Sequence, residues 1–95
     1  MQLKLTRAEV YTLIDGERDY QNKRWNVSTT SSQGWHSSQE WLSFIQDYAS
    51  EGLHLGAREA DQVAYNKQLA IIRKIAAMGV AAMEQHGAPP REPLA

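Results

Sequence analysis

Three stretches of the chain repeat apolar residues at helical spacing, and the polar segments between them show no period at all. The first begins at Thr6-Arg7-Ala8-Glu9, where a threonine hydroxyl caps the first free amides and the glutamate reaches back in a capping box, so a helix is predicted from Arg7. Val10, Leu13 and Ile14 recur on one face, but the same stripe continues into Glu17, Arg18 and Gln21. The inward face therefore turns polar halfway along. Gly16 costs this helix about 1 kcal/mol relative to alanine unless it marks a close packing contact. The helix is carried through to Arg24.

Residues 26–37 are dominated by small polar residues, chiefly serine and threonine, and are predicted to form a polar loop, with Trp35 and His36 its most versatile side chains. Ser37 and Glu40 make a second capping box. Trp41, Leu42, Ile45, Tyr48 and Ala49 then share a stripe, which predicts a second helix over 38–51. Gly52 and Gly56 bracket Leu53-His54-Leu55, either as a turn or as a weakened continuation of that helix.

A third helix is predicted over 60–86. Between Ala70 and Met83 only Arg73 and Lys74 are charged, and a helix apolar on most sides is normally buried on most sides. It would be roughly 40 Å long at 1.5 Å per residue, whereas a compact chain of this length has a radius of gyration near 12 Å. Two apolar faces on so long a helix point to a homo-oligomer built around it. Gly87, Pro89 and Pro90 end it, leaving 88–95 as a C-terminal tail. No strand-like alternation occurs, so the expected fold is all-α: one domain over 1–95, built as a three-helix bundle.

Composition narrows the function classes. With 95 residues the chain has room for one core, and it buries only about 60–65% of its unfolded surface, which makes self-association a remedy for a thin interior. A net charge of −1 gives no bulk electrostatic grip on DNA or on anionic lipid. The lack of cysteine excludes disulfides and thiolate chemistry and suits an intracellular protein, and no apolar run long enough to span a membrane is present.

Chemistry concentrates in residues 17–25. Glu17, Gln21 and Trp25 are four apart, so a carboxylate, an amide and an indole line up on one face, a set suited to the edge and face of a nucleobase; the same spacing also suits a solvated helix end. Arg73 and Lys74, the cations of the third helix, form either an anion site or an interfacial strip. Asp47 and Glu51 are four apart, the spacing of half a magnesium site, but no acidic pair on the third helix completes it. His36, His54 and His86 lack metal-ligand spacing, and there is no glycine-rich phosphate loop.

The run Glu17-Arg18-x-x-Gln21-x-x-x-Trp25, the polar loop, Ser38-x-x-Trp41-Leu42-x-x-Ile45 and Ile75-Ala76-Ala77-Met78-Gly79-Val80-Ala81-Ala82-Met83-Glu84 together resemble small phage proteins related to the MazG-like all-alpha nucleotide pyrophosphohydrolases. The resemblance implies an oligomeric helical bundle in the host bacterial cytoplasm, hydrolysing nucleoside triphosphates with magnesium held by acids on two helices. Where that family carries Glu-Glu-x-x-Glu this chain reads Gln46-Asp47-Tyr48-Ala49-Ser50, and its next helix reads Leu69-Ala70-Ile71-Ile72-Arg73-Lys74. Too few acids remain for a multi-metal centre. The expectation is thus a non-catalytic nucleotide binder without a cofactor, in which Tyr20, Trp25 or Trp35 stacks on a base, Glu17 and Gln21 read its edge, and Arg24, Arg73 or Lys74 meets phosphate. In a phage it would sequester a linear or cyclic nucleotide signal of host immunity. The alternatives are a magnesium-dependent pyrophosphohydrolase using Glu17, Asp47 and Glu51, and a helical protein-interaction module.

Overall fold

Both capping boxes close. In the computed structural model, which describes residues 3–24, 34–58 and 61–93, the Thr6 amide donates to Glu9 Oε1 at 2.9 Å and the Glu9 amide donates to Thr6 Oγ1 at 3.1 Å. Ser37 and Glu40 repeat the exchange at 3.0 and 3.1 Å. These caps open α1 (Arg7–Arg24) and α2 (Ser38–Arg58) at the predicted residues. The third helix, α3 (Gln62–His86), starts two residues later than expected because the Asp61 carboxylate caps it, accepting from the Ala64 amide at 2.8 Å. Gly87 closes it with φ +73°, its amide donating to the Met83 carbonyl at 2.7 Å. Among the described residues the fold is all-α, and no helix there is long and apolar enough to cross a membrane.

Both outer helices lie on α3, and among the described residues their backbones do not approach each other. Trp41, near the start of α2, meets Gln85 near the end of α3, while Gly52, further along α2, meets Gln68 and Ile71, so the two helices run antiparallel. Their seam holds the core: Trp41, Met78 and Ala81 are buried, with Ile45, Tyr48 and Ala82 packed around them. Ala77 has no exposed surface at all. Methyl-sized side chains at this level of α3 let its neighbours come close.

Four features differ from the expectation. α2 continues through both glycines to Arg58 instead of ending at Glu51. A Cβ at Gly52 would make ordinary contact with Ile71 and one at Gly56 would displace the end of the Gln68 side chain, so both glycines sit against α3 within a continuous helix. The α2 stripe is narrower than predicted, because Trp41, Ile45 and Tyr48 turn inward whereas Leu42 and Ala49 face solvent. On α1, Val10 and Leu13 are exposed and the buried residue is Gln21. Finally, α3 is not covered on most sides: Tyr65, Leu69, Ile72 and Met83 are all exposed. Trp25 and residues 26–33 of the predicted loop lie outside the described residues.

A Cβ at Gly16 meets nothing within 4 Å, so this glycine carries its propensity cost without a packing role. Gly16→Ala is expected to raise unfolding stability by about 0.5–1 kcal/mol in urea titrations. The capping hydrogen bonds from Thr6 and Ser37, backbone amide first and hydroxyl second, hold the Glu9 and Glu40 carboxyls below the ordinary glutamate value. A carboxyl lowered in the folded state stabilises fully above its unfolded value and loses that contribution as pH falls through the folded one. Stability measured by urea unfolding is therefore expected to drop from about pH 5 downward, and Glu9→Ala with Glu40→Ala to flatten that acid limb.

Candidate functional site

The polar half of α1 lies against α3, and its charges find partners there. Arg18 grips Glu84 with two bonds, Nε to Oε1 at 2.7 Å and Nη2 to Oε2 at 3.2 Å. Glu17 accepts from Arg73 Nε at 2.8 Å with its own side chain only 8% exposed, so this carboxylate is removed from water and held by a guanidinium. Gln21, one turn on and 3% exposed, donates from Nε2 to the Lys74 carbonyl at 3.1 Å. A carbonyl only accepts, so the amide orientation is fixed, and Gln21 Oε1 is left buried without a hydrogen-bond partner.

Gln21 also lines a cleft of about 230 Å³, together with Glu17, Tyr20, Arg24, Tyr48 and Lys74. All three helices contribute. Tyr20 stands on α1 and Tyr48 on α2, while Lys74 comes from α3 with its Nζ 5.7 Å from the centre of the Tyr48 ring. The one carboxylate of the lining is paired with Arg73, and Lys74 and Arg24 are its two basic residues. The lining therefore combines basic and aromatic side chains with an amide whose buried oxygen has no partner.

Of the residues proposed from sequence, Glu17, Tyr20, Gln21, Arg24 and Lys74 share this lining, and Arg73 adjoins it through Glu17. Trp25 falls outside the described residues. Trp35 is elsewhere, edge-on to His86 with ring centres 5.3 Å apart, at the far end of α3. Tyr48 was missed because its spacing from Trp41 and Ile45 marks it as an apolar core position. Its hydroxyl was the available signal, since a buried tyrosine needs a polar neighbour on one side. Asp47 and Glu51 lie on exposed positions of α2 and do not line the cleft. Among the described residues no three His, Cys, Asp or Glu side chains come together to hold a metal ion, so these donors do not fit the magnesium centre that the family resemblance implies.

A second polar cluster is structural. Gln85 Oε1 accepts from Trp41 Nε1 at 2.9 Å and from the His36 amide at 3.2 Å, and its Nε2 donates to the Gly34 carbonyl at 2.7 Å. His86 Nε2 donates to the His36 carbonyl at 2.7 Å. The His36 ring meets the Trp41 and Phe44 rings nearly at right angles, 5.2 and 5.0 Å between centres. One glutamine thus staples the chain ahead of α2 to the end of α3. Gln85→Ala would strand the indole N–H and is expected to lower stability by about 2 kcal/mol in chemical denaturation, against less than about 1 kcal/mol for Arg18→Ala at the more exposed Glu84 pair.

Comparisons with known protein families, with curated proteins and with solved structures find no match to this chain.

Proposed function

We propose that the chain is a non-catalytic nucleotide-binding protein that uses the cleft between α1 and α2 and works as an assembly of identical copies. The observation that carries the binding reading is a cleft that sets Gln21, whose carbonyl oxygen is buried without a partner, among two tyrosines, two basic residues and a carboxylate paired with Arg73. A buried acceptor without a donor is costly, and a small shift of the Gln21 side chain toward the cleft lets a nucleobase amine or ring N–H supply that donor. Tyr20 and Tyr48 offer faces for the ring. Lys74 and Arg24 supply charge for phosphate. At about 230 Å³ the cleft is smaller than the roughly 300–1,000 Å³ of sites that enclose drug-sized ligands, so a base sits inside and the phosphates stay at the rim.

The resemblance to phage relatives of pyrophosphohydrolases suggests a host bacterial cytoplasm as the setting and a host nucleotide signal, linear or cyclic, as the ligand. A protein that holds such a signal without cutting it acts as a sponge. Assembly through α3 is supported by its uncovered apolar face. That face also supports the reading of a helical interaction module. Magnesium-dependent hydrolysis is disfavoured by Glu17 being tied to Arg73 while Asp47 and Glu51 sit apart from the cleft.

Calorimetry with the four ribonucleoside monophosphates and their 3′,5′-cyclic forms, with and without magnesium, tests this directly when the ligand is recovered and chromatographed. The expected result is binding by at least one nucleotide, intact on recovery, with affinity reduced about tenfold or more by Lys74→Gln and by Gln21→Leu at unchanged helicity. Absence of heat at millimolar nucleotide would leave the interaction module, and product formation that depends on Asp47 would establish the enzyme.

A further inference from the structure

The uncovered face of α3 has an order of its own. Tyr65, Leu69, Ile72, Ala76, Gly79 and Met83 follow one another at alternating steps of four and three residues, the spacing of a coiled-coil seam. Its large members are 45–60% exposed although each is apolar or aromatic. Gln68, Ile71, Met78 and Gln85 mark a different side of the helix, the one that meets α2, and Arg73, Lys74 and Glu84 engage α1. No charged residue lies on the seam itself.

From this pattern we propose that a second copy of the chain docks here, with the two α3 helices antiparallel about a two-fold axis level with Lys74. The proposal deepens the assembly part of the proposed function and does not depend on the nucleotide. In that register Tyr65 faces the partner's Met83, Leu69 faces the partner's Gly79, and Ile72 faces the partner's Ala76. Each large aliphatic residue meets a small one, and the symmetry applies every match twice, as an isologous interface requires. Gly79 is the telling position. A mid-helix glycine weakens a helix, and within one copy nothing lies within 4 Å of where its Cβ would be. Opposite a leucine its missing side chain becomes the hole that the knob needs.

The area is of the right order. A standard interface buries about 800 Å² per partner, roughly 65% of it apolar in homodimers, or about 500 Å². The four large seam side chains, half exposed, supply about 400 Å² of that, and Ala76, Val80 and flanking methylenes lie beside them.

Because the chain has no cysteine, single replacements report the register cleanly. Multi-angle light scattering on the wild type is expected to give an even multiple of 10.7 kDa. Ile72→Glu is expected to give the monomer mass with helical circular dichroism retained, while Leu53→Glu on the exposed side of α2 leaves the assembly intact. Under mild oxidation, Tyr65→Cys mixed with Met83→Cys is expected to cross-link, and neither is expected to do so alone. A wild-type monomer overturns both the assembly and this interface. An assembly in which Tyr65→Cys links to itself, or in which the mixture fails to link, overturns the antiparallel register and leaves assembly standing.

Discussion

Every packed helix pair in the described fold includes α3, and this single constraint orders everything else. Because α1 and α2 do not meet backbone to backbone, α3 has to serve two partners along one length with chemically different sides. Toward α2 it offers Ile71, Met78 and Ala82, and the join is an apolar seam around Trp41. Toward α1 it offers Arg73, the Lys74 carbonyl and Glu84, and the join is made of hydrogen bonds and ion pairs. Alanine at 77 and 81 keeps the axis thin where both neighbours press on it. Substituting bulk there would push the outer helices apart.

The cleft follows from that asymmetry. Two helices that each lean on a third with their backbones apart leave a groove between them, and its depth depends on what fills it. Here the filling is polar: the inward stripe of α1 has run out of aliphatic residues by Glu17, so the groove is floored by an amide, a carboxylate and a lysine. An apolar stripe would have collapsed into core. Arg73 neutralises Glu17, and without that pairing a carboxylate so far out of water would be destabilising. What the groove keeps beside that pair is a lysine set against the Tyr48 ring and an amide whose oxygen has no partner.

The parts of this architecture that were legible in the sequence are those whose causes are local. Thr6 with Glu9, Ser37 with Glu40, and Gly87 before two prolines set helix ends through contacts within four residues, and all three ends appear where the pattern put them. Glu17 and Gln21 were legible for a related reason, since polar residues on an apolar stripe have to be accommodated by something. The errors have distant causes. Gly52 and Gly56 look like helix breakers until Ile71 and Gln68 arrive against them from α3. Trp35 looks like a free stacking group until His86, fifty-one positions along the chain, receives it edge-on. Tyr48 shares its period with core residues, and only the approach of Lys74 shows that its ring borders a cleft. Periodicity says which side of a helix is inward; it does not say what waits there.

The polar docking of α1 has a consequence for how the molecule opens. Ion pairs and side-chain amides add less to stability than an apolar seam such as that of Trp41 and Met78, which makes the α2–α3 hairpin the firmer unit and α1 the element with less to hold it. Since α1 forms one wall of the cleft, anything seated there bridges the labile unit to the stable one. Occupancy and the local unfolding of α1 are then two sides of one equilibrium, and the rate at which its amides exchange becomes a measure of whether the cleft is filled.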